Sequence, residues 1–301
     1  MSHPATPEKT SFVLPPASGW HRAVRFLRRP WLHQYYSLAL RVQAEFPAFR
    51  FPIRLSFGAS YLVGNSEVDH RILFGDFELA ETQFMQRYLR PGMTVLDIGA
   101  HHGYYSLLAA AAVGSRGAVH SFEPSPREFA QLNRNVARNR CSNVSIHNVA
   151  LGPDEGRVTL YEASGCHDGF NSLRRQESIK DVSPVEVSMV ALDQFLKERA
   201  ICSVDFIKMD VEGAELSIFE GASQLLVAES RPVVLAEVSD LRTKAWGYRA
   251  KEILSHLLDR GYEWHSLTGS GSLRPLVNVA DSVDGNYVAW PEERCRDLLM
   301  D

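Results

Sequence analysis

From residue 94 onward, short apolar runs alternate with longer amphipathic stretches. The runs at 94–98, 118–122, 144–149, 204–209 and 233–238 read as strands, and helices are expected between them at 104–113, 126–138, 214–226 and 248–260. That βαβα order predicts an α/β fold: a parallel sheet with right-handed crossovers and a crevice at the carboxyl ends of the strands. "GYEWHSL" and "GNYVAWP" fit two further strands. An insertion around 152–190 separates the third strand from the fourth, with strands expected at 157–161 and 185–190 around the polar loop "EASGCHDGFNSLRRQESIKDVSP". A loop of that length is usually functional or disordered.

Upstream the pattern changes. Residues 1–19 are rich in Pro, Ser and Thr without periodicity and are expected to be a disordered leader. Residues 20–90 are expected to form a helical and β extension capping the core, and 91–301 the α/β domain. "GWHRAVRFLRRPWLHQYYSLALRVQ" carries apolar residues every three or four positions and reads as two amphipathic helices broken at Pro30. One account makes them a packing cap; the other makes residues 20–43 a basic, aromatic surface touching anionic lipid or a carrier partner. "IRLSFGASYLVGNSEVDHRILFG" looks like short strands with glycine turns, and "ELAETQFMQRYLRPG" like a helix ending at Pro91 and Gly92.

Composition narrows the function. A chain of 301 residues, 45% hydrophobic, can bury a large core. A net charge of -4 and the lack of arginine–glycine or basic–aromatic tracts past residue 60 disfavour nucleic acid as a partner. Residues 1–54 hold eight Lys or Arg against two Glu, so the front end is basic and the remainder acidic. Cys141, Cys166, Cys202 and Cys295 show no CxxC or zinc spacing, which predicts reduced thiols and a cytoplasmic location. No signal-type apolar region opens the chain, and the longest nearly apolar run, 104–113, is too short to span a bilayer.

The chemistry gathers at the strand ends. In "VLDIGAHHGYYS", Gly99 and Gly103 let the backbone turn sharply between a strand and a helix, where amide groups can meet a polar ligand. Asp97 beside that opening would repel a pyrophosphate and attract an ammonium or sulfonium, and G-x-x-x-G is not the dinucleotide spacing. Glu123 ends the next strand, where an acid can accept both ribose hydroxyls, so a nucleoside is the economical ligand. Asn148, Val149 and Ala150 at the third strand end would border its base. "FIKMDVEGAEL" then supplies Lys208, Asp210 and Glu212, which strand alternation puts on one side, and Glu237 ends the fifth strand. Two readings of Glu212 stand, a catalytic acid or a cap for the following helix. Asp210, Glu212 and Glu237 also have the oxygen chemistry for Mg2+, but no D-x-D or His cluster accompanies them, so no metal is assigned. His101, His102, His167 and His265 are alternative bases, with His102 read as a surface neighbour.

"VLDIGAHHGYYS", "HSFEPSPREFAQLNRN", "NVALG", "NSL", "VALDQF", "DFIKMDVEGAELSIFEGA" and "PVVLAEVS" resemble, in order, the motifs of the FkbM-type family of S-adenosylmethionine-dependent methyltransferases, over roughly residues 72–240. The resemblance implies a Rossmann-like class I methyltransferase fold, with a seven-stranded, mostly parallel sheet whose last strand is antiparallel. It implies S-adenosyl-L-methionine as cofactor, with Asp97, Gly99, Ala100, His101 and Gly103 at its methionine end, Glu123 and Pro124 at the ribose and Asn148, Val149 and Ala150 at adenine. His101 stands where the family usually has Asn. Asn171 and Ser172 fall in the lid segment, reaching toward cofactor or acceptor, and Asp210 abuts the cofactor amino group or the acceptor. Asp210, Glu212 and Glu237 are the catalytic candidates. The implied reaction is O-methylation of a sugar, glycolipid or secondary metabolite, a small-molecule or glycan acceptor. An N-methyltransferase, an NAD(P)-dependent oxidoreductase and a non-catalytic, membrane-apposed nucleoside-binding module are the alternatives, and no oligomeric state is encoded.

Overall fold

A computed structural model describes residues 30–165, 168–177, 179–276 and 283–294. The leader expected at 1–19, the first expected helix up to residue 29, Cys166, His167 and Cys295 lie outside the described residues. Helix α1 (Pro30–Glu45) starts at the proline, whose missing N–H is no loss in a first turn. Strands β1 (Phe51–Arg54) and β2 (Ser60–Val63) pair antiparallel. Helix α2 (Glu67–Phe74) follows where short strands were expected. Ser66 Oγ caps it by accepting from the Asp69 N–H at 3.0 Å, and Gly75 closes it at φ 75°, end signals that outweigh the β-like apolar spacing between them. Helix α3 (Leu79–Tyr88) completes this segment.

The alternating part runs β3 (Thr94–Ile98), α4 (Tyr104–Val113), β4 (Ala118–Phe122), α5 (Pro126–Asn139), β5 (Val144–His147), β6 (Ala150–Gly152), β7 (Gly156–Ala163), β8 (Val182–Ala191), α6 (Leu192–Glu198), β9 (Phe206–Met209), α7 (Glu215–Glu220), β10 (Val233–Ser239), α8 (Asp240–Thr243), α9 (Ala250–Leu258), β11 (Tyr262–Leu267), β12 (Leu273–Pro275) and β13 (Asp284–Pro291). The main sheet has the order β12-β11-β13-β10-β9-β3-β4-β5, with β13 antiparallel between β10 and β11. This is the class I Rossmann-like methyltransferase arrangement with one addition. The expected seven strands become eight because the turn after β11 folds back and pairs residues 273–275 on its open edge. The insertion builds its own sheet, β6-β8-β7.

One expected helix, 214–226, is cut short. It stops at Gly221, where the backbone runs so close to Gly152 that a Cβ would lie 2.0 Å from the Gly152 carbonyl oxygen. The Gly221 carbonyl accepts from the Asp193 N–H at 2.9 Å, and the chain resumes as a single 3₁₀ turn at Leu225–Val227.

Alternation on the central strands decides which side chains reach the site. Leu96 and Ile98 of β3 join Ile207, Met209, Val234 and Ala236 in the layer covered by α6, α7 and α9. Val95, Phe206, Val233 and Leu235 face the opposite layer, under α3 and α4. Asp97, Lys208 and Glu237 therefore project toward the α3 and α4 side on three adjacent strands. The segment before β3 packs on that side too, with Phe51, Tyr61, Val63, Ile72 and Leu73 meeting Leu107 of α4. On the outer face of α1, Leu38 stays 63% exposed and Tyr35 40%. Among the described residues, no helix is long and apolar enough to cross a membrane.

The close approach of the β3 and β9 ends can be tested by a glycine pair. Gly99 has φ +80°, and a Cβ there would stand 1.8 Å from the Asp210 carbonyl oxygen; Gly92 has φ +95° with nothing within 4 Å. Gly92→Ala should lose about 1 kcal/mol of unfolding free energy in urea, from backbone conformation alone, and Gly99→Ala about 3 kcal/mol or more. Equal losses would contradict the packing.

Candidate active site

The carboxyl ends of β3, β4, β9 and β10 open into one cleft, at the point where the chain order on the sheet reverses. Asp97, Gly99, Ala100, His101, Glu123, Pro124, Val149, Ala150, Asp210, Glu212 and Glu237 line it. The opposite wall comes from α2 and the turn after it, through Glu67, Arg71, Phe77 and Glu78, with Phe170 and Asn171 contributed by the insertion.

Beneath the acidic rim lies Lys208, 1% exposed. Its Nζ sits 3.5 Å from Asp210 Oδ2 and 5.1 Å from the centre of the Tyr105 ring. Burial alone would lower the affinity of this ammonium for its proton, but the surrounding carboxylates of Asp210, Glu78, Glu237 and Asp97 raise it above the ordinary lysine range. A buried cation is tolerated only in such company. Asp97 is itself buried, accepts a hydrogen bond from Ser106 Oγ at 2.5 Å, and is pushed up to about 6 by its burial. Tyr105 Oη donates to Glu78 at 2.5 Å, and burial raises Glu78 as well.

Glu123 is 5% exposed and takes the His101 N–H at 2.8 Å on one oxygen and the Ser125 N–H at 2.9 Å on the other; burial pushes it to about 7. Asn148 lies behind it, donating to the carbonyls of Glu123 at 2.8 Å and Pro124 at 2.9 Å. Its amide is thus taken up in shaping the end of β4, and Asn148 is not among the cleft-lining residues. Two other expected contacts also move out of the cleft. Gly103 caps α4, where a Cβ would meet Leu132 at 2.6 Å, so its role is helix packing. Ser172 is 2% exposed and donates to the Glu212 carbonyl at 3.1 Å, bracing the turn after β9 while its neighbour Asn171 lines the wall.

The "MDVEGAE" turn departs from simple alternation because β9 ends at Met209 and Glu212 adopts φ 53°. Glu212 is therefore not a third member of a Lys208 network. It pairs with Arg242 at 2.9 Å, and Gln176 donates to it at 3.3 Å. Nor does it cap α7: Glu215 stands in that first turn and accepts from the Gly213 N–H at 3.3 Å. Burial raises Glu212 to about 8, against the opposing pull of Arg242, and Glu215 to about 8. Glu237 is raised by burial and by its neighbours Asp210 and Glu212.

Carboxylate oxygens of Asp210, Glu212 and Glu237 lie within 4.8 Å of one another. Two of the three already face fixed cations, Lys208 and Arg242, which a divalent ion would have to displace. The donor set suits an organic cation with hydroxyls better: carboxylates for a sulfonium and an ammonium, and Glu123 for a diol. His102 is 3% exposed, a core residue and not a surface neighbour, and His265 sits on β11 outside the cleft, with Nδ1 3.3 Å from the Glu263 carbonyl. Sequence patterns pointed to neither Glu78 nor Arg242: Glu78 opens the stretch read as a helix and Arg242 follows the fifth strand, and only folding brings the two to the cleft.

Residues 97–264 match the family described as methyltransferase FkbM domain. The chain is 29% identical over 179 residues to the 31-O-demethyl-FK506 methyltransferase FkbM of Streptomyces tacrolimicus, covering 51% of this chain and 68% of that one. It is 25% identical over 149 residues to the 2-O-methyltransferase NoeI of Sinorhizobium fredii (strain NBRC 101917 / NGR234), covering 46% of this chain and 60% of that one. A solved structure of a methyltransferase FkbM from Methylobacillus flagellatus KT has 18% identity and a TM-score of 0.41, covering 74% of this chain and 52% of that one.

The raised acids set a pH dependence. A carboxyl whose folded-state value lies above its unfolded one, near 4, holds its proton more tightly when folded; its contribution to stability is complete below about 4 and is lost as pH rises through the folded value. Asp97, Glu123, Glu212 and Glu215, at about 6, 7, 8 and 8, place that loss between pH 5 and 8. Asp69 and Glu128, both lowered to about 2, add no slope in that window. The ligand-free protein should melt at a higher temperature at pH 5.5 than at pH 8 in scanning calorimetry, and Glu123→Gln together with Asp97→Asn should flatten the difference.

Proposed function

This chain belongs to the methyltransferase FkbM domain family and is S-adenosylmethionine-dependent, and from that premise we propose that it methylates a hydroxyl group of a sugar, glycolipid or secondary metabolite. The observation that carries the reading is the single cleft ringed by Asp97, Glu123, Asp210 and Glu237 over a buried Lys208. The proposal assigns residues 91–301 to the methyltransferase domain and 20–90 to its cap.

When bound, the cofactor supplies an electrophilic methyl group on a sulfonium. Asp97, Gly99, Ala100 and His101 would hold its methionine end, Glu123 and Pro124 its ribose, and Val149 and Ala150 its base. The chain's remaining task is to align an acceptor oxygen in line with that methyl group and to take up its proton. Glu237, on the cleft rim with Asp210 held by Lys208 beside it, is the candidate for the base. Glu212, fixed by Arg242, orients the rim. Phe77, Tyr104 and Phe170 present ring edges and faces on the acceptor side, which suits the apolar face of a sugar ring. The names of the two relatives, a 31-O-demethyl-FK506 methyltransferase and a 2-O-methyltransferase, favour oxygen as the acceptor atom.

Free thiols at Cys141 and Cys202 support a cytoplasmic setting. The exposed face of α1, adjoining the arginine-rich stretch before Pro30, supports contact of residues 20–43 with a membrane surface.

Titration calorimetry should give heat with S-adenosylhomocysteine and none with NAD; heat from NAD alone would reject the proposal. Glu237→Gln should lower kcat by about 10²-fold or more while cofactor affinity stays within a few-fold, and unchanged turnover would remove it from the mechanism. Sedimentation with phosphatidylserine-containing vesicles should recover the protein, and Tyr35→Glu with Leu38→Glu should release it. Equal recovery of the two proteins would exclude that face from lipid contact.

A further inference from the structure

We propose that His102, gripped on both ring nitrogens by carboxylates, is a positioning residue for the cofactor loop and makes α2 part of the cofactor site. The inference rests on the reading of the cleft as the cofactor site. His102 stands in the Gly99 to Gly103 turn, with Nδ1 2.9 Å from Asp69 Oδ1 and Nε2 2.7 Å from Glu128 Oε2. All three side chains are buried: His102 is 3% exposed, Asp69 0% and Glu128 2%. A neutral imidazole has one N–H and one lone pair, and a lone pair aimed at a buried carboxylate is repulsive. Tyr61 Oη and the Gly64 N–H donate to Asp69 and Arg127 Nε to Glu128, which favours both acids ionised; both ring contacts are then hydrogen bonds only when the ring carries both protons, so the geometry selects the imidazolium.

A second cation braces the pair of acids. Arg127 Nε sits 2.5 Å from Glu128 Oε1, so two cations meet two carboxylates. Tyr61 Oη donates to Asp69 at 2.6 Å, the Gly64 N–H also donates to Asp69, and Asn171 donates to Glu128 at 3.4 Å. His101 stacks on His102 with ring centres 3.9 Å apart, and Asn135 Nδ2 donates to the His102 carbonyl at 2.7 Å. Burial would raise Asp69 and Glu128, but His102 draws each down to about 2.

This clamp has a route to the cofactor. The loop it holds is conformationally demanding, with Gly99 and Gly103 at positive φ and His101, a non-glycine, at φ 47°. The His101 N–H is the donor to Glu123 at 2.8 Å, so the imidazolium next door fixes the partner of the ribose acid. Asp69 belongs to α2, whose Glu67, Val68 and Arg71 line the facing wall of the cleft. One buried cation therefore ties the wall, the glycine loop and the start of α5 into a single frame.

Nitrogen-15 spectra of the ligand-free full chain, labelled at histidine, should show both His102 ring nitrogens protonated at pH 7, and Asp69→Asn should lower the midpoint of that titration. Asp69→Asn and His102→Gln should weaken S-adenosylhomocysteine binding about tenfold or more by calorimetry, with kcat at saturating cofactor within about threefold. In the unmodified protein, affinity should fall as pH rises through the midpoint measured for His102, a test that needs no variant. An unprotonated ring nitrogen at pH 7, affinity flat across that midpoint, or variants that lose thermal stability while keeping full cofactor affinity would each overturn the proposal. Absence of any binding by the unmodified protein would instead reject the cofactor reading, which the spectra do not depend on.

Discussion

The buried ammonium of Lys208 is the constraint on which the site is built. Asp97, Asp210 and Glu237 at the tips of β3, β9 and β10 would repel one another if nothing lay beneath them, and the layer under α3 and α4 is apolar. Lys208 on β9, directly paired with Asp97 on β3 and flanked by Glu237 on β10, supplies the compensating charge at the one place all of them can reach. The parallel register of three strands does the alignment, since equal steps along β3, β9 and β10 bring every second side chain to the same face. The compensation is incomplete: more carboxylates than cations line the cleft, which favours a positively charged guest, while burial raises Asp97 and Glu237 above the ordinary carboxyl range.

Around this centre the chain uses fixed ion pairs to hold segments that have no regular hydrogen-bond ladder between them. Arg242, just past β10, holds Glu212 in its left-handed turn and lies 4.8 Å over the Phe170 ring of the insertion. Asp69 and Glu128 hold His102 from two sides. In each case a loop at the carboxyl end of the sheet is tied to a segment from elsewhere in the chain. The turns keep their non-glycine positive φ values at His101 and Glu212 because these contacts over-determine them.

The readable and unreadable residues differ in kind. Asp97, Glu123, Asp210 and Glu237 were legible because a strand end is a local event: an apolar run of four or five residues stops, and the acid that follows must lie near the crevice. Asn148, Ser172 and Gly103 sit in equally suggestive motifs, yet face backbone or packing, because a motif places a residue to within a few ångström and leaves its side-chain direction open. His102 shows the same limit in reverse. As one of two adjacent histidines in a polar turn it resembled a surface residue, and its burial depends on Asp69 and Glu128, 33 and 26 residues away along the chain. Helix α2 was hidden for a related reason, since its apolar residues suited strands and its caps, Ser66 and Gly75, are also common in turns.

By itself the sequence determined the strand and helix alternation, the crevice at the strand ends and the acids that rim it, because periodicity and local breaks are short-range properties of the chain. Tertiary structure alone decided which charges meet: Lys208 with four acids, Arg242 with Glu212, His102 with Asp69 and Glu128. Coulomb energy depends on distances through space and on exclusion of water, and neither is written in spacing along the chain.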